Sequence, residues 1–76
     1  MKDSIHKVLV FKTSVTKNYE IKQLQPLLNK LTYKNDSWNF DLEDCDNILR
    51  VETQFLEPIA ITTTLQNQGF YCTELF

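Results

Sequence analysis

The sequence predicts an α+β fold in which a four-stranded antiparallel sheet carries two helices on one face. Two observations support this prediction. Segments that alternate apolar and polar residues, the period of a half-buried strand, are interleaved with two segments that carry apolar residues at helical spacing. The chain has 76 residues, of which 42% are hydrophobic, so it has room for one domain, residues 1–76, with one core.

The first strand is predicted over His6 to Val15, where apolar and polar residues alternate. One face of this strand carries Leu9, Phe11, Thr13 and Val15, and the other carries Val8, Val10 and Lys12. A helix follows, for which Thr16 or Asn18 can serve as the N-cap. Its apolar residues recur at spacings of 3, 4 and 3, at Ile21, Leu24, Leu28 and Leu31. Pro26 lies inside this helix, where it removes one backbone N–H, so a bend is expected there.

Two further strands are expected to form an antiparallel hairpin after a polar turn over residues 33–37. In the second strand the apolar positions are Trp38, Phe40 and Leu42. Residues 43–47 are read as the hairpin loop. In the third strand Leu49, Val51 and Thr53 share one face, and Ile48, Arg50 and Glu52 share the other.

The last helix and strand complete the predicted fold. Pro58 suits the first turn of a helix, Ile61 and Leu65 face inward, and Gly69 marks its C-terminal end. A fourth strand is predicted over Phe70 to Phe76. The order β-α-β-β-α-β is the ferredoxin-like split βαβ unit, and right-handed crossovers then give the sheet order 4-1-3-2.

This topology predicts which loops meet. The loop after strand one, the hairpin between strands two and three, and the turn before strand four should lie together at one edge of the sheet, called here the top edge. His6 should lie at the opposite edge. The top edge would gather the predicted site residues Lys17, Asn18, Tyr19, Glu20, Asp44, Cys45, Asp46 and Phe70.

Composition excludes several function classes. Two cysteines are too few for a disulfide scaffold, and one glycine cannot form a glycine-rich phosphate loop. A net charge of -2 without a Lys/Arg cluster argues against binding to nucleic acid or to an anionic membrane. The first eleven residues hold too short an apolar run for a signal peptide or a membrane span. We therefore expect a cytoplasmic protein with free thiols.

The chain resembles the heavy-metal-associated domain family, which includes copper chaperones and the N-terminal domains of metal ATPases. The resemblance covers about residues 7–76. It depends on the order of four segments: residues 11–15 before the loop, 26–29 within the first helix, 38–42 through 48–52 in the hairpin, and Gly69-Phe70 before the last strand. It implies the ferredoxin-like fold derived above.

The resemblance also implies a metal site that this sequence lacks. The family binds its metal through a CxxC motif in the loop after strand one, and the two cysteines would fall on Lys17 and Glu20. Soft ions such as Cu(I) require thiolates, whereas these residues offer an ammonium group and a hard oxygen donor. We therefore expect the fold without the family's metal activity, with the Lys17 ammonium occupying the place of the metal cation.

The two cysteines and the only histidine are weak candidates for metal binding or catalysis. Cys45 between Asp44 and Asp46 forms a mixed ligand set in a hairpin loop, which is more typical of a solvated turn than of a metal site. Cys72 is expected to be a small buried residue, two to three strand spacings from Cys45 and so too far for a disulfide. His6 has no second group beside it.

Catalysis and RNA binding are disfavoured for the same fold. Nucleophilic catalysis needs a nucleophile, a base and an orienting group that converge, and neither edge of the predicted sheet provides all three. Acylphosphatases bind phosphate with a Gly- and Arg-containing loop after strand one, and residues 15–19 contain neither residue type. RNA-binding domains of this topology stack bases on sheet aromatics, whereas the central strands here present aliphatic residues and an arginine. We expect no enzyme and no cofactor.

The sheet face that the helices leave uncovered is the remaining candidate for function. An apolar patch is predicted there from Val8, Val10, Ile48, Tyr71 and Leu75. It is either a protein interface or a set of scattered surface hydrophobic residues. The sequence thus predicts a non-enzymatic binding or regulatory module that acts through a protein partner or self-association. Metal handling near Cys45 is the alternative function.

Overall fold

The structure is a computed structural model that describes residues 7–75. The elements follow one another in the predicted order, and each neighbouring pair of strands is antiparallel. The sheet order is β2-β3-β1-β4, which is the predicted 4-1-3-2 read from the other edge. Predictions that concern His6 and Phe76 fall outside the described residues. The elements are β1 (Lys7–Thr13), α1 (Asn18–Leu31), β2 (Ser37–Asp41), β3 (Ile48–Thr53), α2 (Pro58–Asn67) and β4 (Cys72–Leu75).

One face of the sheet forms the core, as its alternation predicted. The side chains of Phe11, Leu49 and Val51 are fully buried, and Phe11 lies opposite Leu49 in the pairing of β1 with β3. Both helices pack on this face, through Leu24 and Leu28 in α1 and Ile61 and Leu65 in α2. Because one cluster contains residues from both helices and the sheet, no helix of residues 7–75 covers the opposite face, called here the open face.

The first helix begins at a position that the sequence analysis assigned differently. Lys17 is the N-cap, in extended backbone geometry, and neither Thr16 nor Asn18 takes that place. The predicted capping residues were wrong: the N-cap lies between them, no side chain of the N-cap residue accepts a helix N–H, and Glu20 instead accepts the N–H groups of Thr16 and Lys17. The helix continues through Pro26 to Leu31.

Strands β1 and β4 are shorter than predicted. Strand β1 ends at Thr13, two residues before Val15, although Val15 is fully buried. Strand β4 starts at Cys72 instead of Phe70, whose N–H donates to the carbonyl of Leu65 in α2. Gly69 has a φ of 88°, which glycine adopts without strain, and its N–H donates to the carbonyl of Gln66.

Candidate functional site

The top edge of the sheet is held together by Thr13 at the end of β1. Its hydroxyl donates to the carbonyl of Asn47 at 2.6 Å and accepts the N–H of Val15 at 3.1 Å. Its own N–H donates to the carbonyl of Asp46 at 3.2 Å. These bonds join the β2–β3 loop to the loop between β1 and α1, and Thr13 itself is buried.

The turn before β4 joins the same edge. The N–H of Ser14 donates to the carbonyl of Tyr71 at 3.1 Å, and the N–H of Tyr71 donates to Oγ of Ser14 at 2.8 Å. The three loops expected at the top edge therefore do meet there. They form a hydrogen-bonded rim of backbone and small polar side chains.

Lys17 and Glu20, the positions that the family resemblance assigns to a metal, serve the start of α1. One oxygen of Glu20, Oε1, accepts the N–H of Thr16 at 2.9 Å and that of Lys17 at 3.1 Å. The hydroxyl of Thr16 also lies within 3.4 Å of this oxygen. The Thr16 N–H, with smaller help from Lys17, lowers the pKa of Glu20 below its usual range, because hydrogen bonds favour the charged carboxylate. Glu20 thus closes the loop as a helix-capping residue.

The hairpin loop brings three potential ligand atoms within 4.8 Å of one another: the Sγ of Cys45 and one carboxylate oxygen each of Asp44 and Asp46. The carboxylate of Asp44 accepts the N–H of Asp46 at 2.8 Å, and the carboxylate of Asp46 lies 3.6 Å from the ammonium group of Lys12. Asn47 completes the turn with a φ of 51°. Both carboxylates therefore have a role in shaping the loop, and Cys45 is left exposed beside them.

The two cysteines have different surroundings. Cys72 is 3% exposed and packs in the core, and burial raises the pKa of its thiol to about 12. Cys45 is exposed, and both thiols are free. A neutral thiol in an apolar setting is chemically inert, so Cys72 contributes packing.

The open face presents a smaller apolar patch than the sequence predicted. Val10 lies beside Leu75 of β4 in the register, and Val8 comes two residues before Val10 in β1. Val8 is 55% exposed and Leu75 is 38% exposed, whereas Val10 is half-buried between them and its β3 neighbour Arg50. These three residues, Val8, Val10 and Leu75, are called here the apolar patch.

Two residues that were predicted in this patch do not belong to it. Ile48 is only 5% exposed; in the register it lies between Lys12 and Asp41, which pair with Asp46 and Arg50 respectively. Tyr71 is exposed but precedes β4, four residues from Leu75, or about 13 Å along an extended chain. The patch therefore stops short of the top edge.

Beside the apolar patch the open face is polar. A shallow cavity of about 130 Å³ is lined by Ser37, Trp38, Asn39, Arg50 and Glu52. In the register Arg50 lies next to Asn39 and Glu52 lies next to Ser37. The cavity was not predicted from the sequence, although the alternation of β2 and β3 places its four polar residues, Ser37, Asn39, Arg50 and Glu52, on the face that the helices leave open.

The sequence analysis also missed a cluster at the bottom edge. The buried hydroxyl of Thr53 donates to Oδ2 of Asp36 at 2.9 Å, and the same oxygen accepts the N–H of Tyr33 at 2.9 Å. Tyr33 and Phe55 are exposed aromatic residues in edge-to-face contact, with ring centroids 5.6 Å apart. The spacing of 22 residues between these rings gives no local signal for this contact.

None of the helices in the described part of the chain is long and apolar enough to cross a membrane. Comparisons with protein families, with curated proteins and with solved structures found no match to this chain.

Proposed function

We propose that this protein is a small non-enzymatic binding module that acts through the open face of its sheet. The observation that carries the proposal is the apolar patch of Val8, Val10 and Leu75 on the face without helices. Val8 and Leu75 are exposed aliphatic side chains on two adjacent strands, and Glu52, which lines the polar cavity, lies beside Val8 in the register. An apolar centre with a polar margin is the composition that protein interfaces favour.

We also propose that this chain descends from the heavy-metal-associated domain family and has lost the family's metal site. The order of elements supports this relationship, as does the position of Lys17 and Glu20 at the start of α1. In this view a capping glutamate has replaced one thiolate and fixes the loop by hydrogen bonds instead of through an ion. We place the module in the cytoplasm, where the exposed Cys45 stays reduced.

The double substitution Lys17→Cys with Glu20→Cys tests this relationship. If the loop is equivalent to the family's metal loop, two thiolates at the start of α1 will bind one Cu(I) or Zn(II) ion tightly. Competition titration with a chromophoric chelator measures the affinity. The Lys17→Ser, Glu20→Ser protein is the control, since it also loses the cap. Equal affinity in both proteins would show that the loops are not equivalent.

The binding function is tested with a charge on the apolar patch. Val10→Lys places an ammonium group at its centre, and Thr63→Lys places one at an exposed position on α2 as the control. We expect Val10→Lys to lose a stoichiometric protein complex that wild type and Thr63→Lys both form with a purified partner or with a second copy. Identical binding and identical solubility of all three proteins, at equal thermal stability, would refute an interface on this face.

A further inference from the structure

The open face carries a charge pattern that matches a second copy of itself. The pattern lies in two rows that cross the sheet. In the first row Glu52 of β3 lies beside Val8 of β1, and in the second row Arg50 lies beside Val10. The rows are separated by two residues along each strand, or about 7 Å. Each row thus pairs one charged residue with one valine, and the charges of the two rows are opposite.

A two-fold axis converts this pattern into contacts. Consider two open faces packed against each other, with the axis perpendicular to the strands and midway between the two rows. The rotation places each Arg50 over Glu52 of the second copy and each Val10 over Val8 of the second copy, so every contact forms twice. On β2 the same operation places Asn39 over Ser37.

The other simple orientation matches poorly. A two-fold axis parallel to the strands and between β3 and β1 would place Val10 over Arg50 of the second copy. It would bury a charged group against an aliphatic one in both halves, which costs free energy because the charge loses water without gaining a partner. Only the perpendicular axis joins unlike charges and apolar groups at the same time.

The charges of this face are available for such contacts. Within the described residues Glu52 forms no ion pair and its side chain is exposed. Arg50 has only a loose pairing with Asp41, at 3.9 Å and half-exposed, which is worth little in water. The two charges also cancel within each copy, so the approach of two such faces is not opposed by net repulsion across them.

We propose that the partner of the open face is a second copy of this chain, in a two-fold dimer that pairs Arg50 with Glu52 and Val10 with Val8. This inference rests on the proposed binding function and names its partner. The sheet face of four strands by five residues covers on the order of 300 Å² per copy. A standard stable interface takes about 800 Å² from each partner, so the dimer is weak and exchanges with monomer.

Charge reversal tests the pairing. Arg50→Glu gives each face two acidic residues and Glu52→Arg gives each face two basic ones, so each variant alone sets like charges against each other. A mixture of the two variants restores both ion pairs in a heterodimer. Lys22→Glu, on the exposed side of α1, is the control because it changes net charge as Arg50→Glu does. Thermal unfolding of each variant confirms that the fold persists.

Sedimentation equilibrium up to about 1 mM chain, a range suited to a weak complex, gives the readout. Wild type and Lys22→Glu should approach twice the 9.0 kDa mass of the chain. Each single variant should associate at least about tenfold more weakly, and the equimolar mixture should recover the wild-type mass. A wild type that stays monomeric, or a mixture that stays monomeric while wild type dimerises, overturns the inference. If wild type is monomeric but a purified different protein binds in a Val10-dependent manner, the proposed function stands and only the self-pairing fails.

Discussion

The carboxylate of Glu20 accepts hydrogen bonds from two successive backbone N–H groups at the start of α1. The Lys17 N–H is the N-cap donor that a glutamate at N3 bonds in a capping box, and without Glu20 both exposed donors would bond only water. The negative charge also lies at the positive end of the helix dipole. A residue at a position that the family resemblance assigns to metal thus has a sufficient structural role here.

Glu20→Gln will change how stability depends on pH. The pKa of Glu20 is lowered in the folded protein relative to the ordinary value of 4.5, chiefly by the Thr16 N–H. Its ionised form therefore stabilises the fold above about pH 4.5, and this contribution is lost as the pH falls from there through the lower folded pKa. Glutamine still accepts hydrogen bonds but does not titrate. The thermal unfolding midpoint of wild type should consequently fall more steeply below pH 4.5 than that of Glu20→Gln.

Glu43→Gln is the matched control, because Glu43 is exposed in the hairpin loop. It should leave the wild-type acid dependence unchanged. Parallel curves for wild type and Glu20→Gln between pH 7 and pH 3 would contradict the capping role given to the carboxylate.

For single residues, burial could be predicted where the alternation of apolar and polar residues along a strand determines it. Cys72 shares a face with Phe70 and lies in the core, as expected. Ile48 was predicted on an exposed patch because its position on the open face follows from alternation. Its neighbours in the register, Lys12 and Asp41, lie beside it only when three strands assemble. Alternation assigns a face, but it does not give the degree of burial on that face.

At the element scale, Thr53 joins the end of β3 to the turn after α1. Its buried hydroxyl donates to Asp36 and accepts the N–H groups of Phe55 and Leu56 at 3.3 and 3.1 Å. The Thr53 side chain therefore fixes the backbone of the segment between β3 and α2. Tyr33 and Phe55 make their edge-to-face contact at the same corner.

Thr53→Val will destabilise the protein by about 1–3 kcal/mol, because the valine methyl cannot accept the buried N–H of Leu56. Thr53→Ser keeps the hydroxyl and should recover most of this loss. Urea unfolding measures both free energies, and Thr63→Val on the exposed side of α2 gives the background effect of the same substitution. A Thr53→Val protein as stable as wild type, together with a larger loss in Thr53→Ser, would mean that the methyl group, not the hydrogen bonds, stabilises this corner.

The elements themselves could be predicted from local patterns, but only some of their ends could. Pro58 at the start of α2 and Gly69 after its end gave correct limits because their backbone preferences act locally. The start of α1 was misassigned since Glu20 caps it from within the helix. The ends of β1 and β4 depend on the paired bonds of Ser14 with Tyr71, which are 57 residues apart in the sequence.

At the scale of the whole molecule, the topology followed from the order of elements and the handedness of crossovers. The same reasoning predicted that three loops would meet at the top edge, and bonds from Thr13 and Ser14 join them there. The candidate site did not follow in the same way. The row pattern of Arg50, Glu52, Val8 and Val10 depends on the exact register of β1 with β3, which alternation leaves open by two residues.

The two faces of β1 lead to a final prediction, because adjacent residues on this strand have separate roles. Phe11 is fully buried on the core face, whereas Val10 is half-buried on the open face. Phe11→Ala removes the ring and leaves a cavity, at a cost of about 3–5 kcal/mol. A core of this size supplies only about 3–5 kcal/mol in total, so the Phe11→Ala protein should be largely unfolded at 25 °C. Val10→Lys should retain the wild-type far-ultraviolet circular dichroism and lose only association. A folded Phe11→Ala protein, or an unfolded Val10→Lys protein, would show that the sheet does not separate its structural face from its binding face.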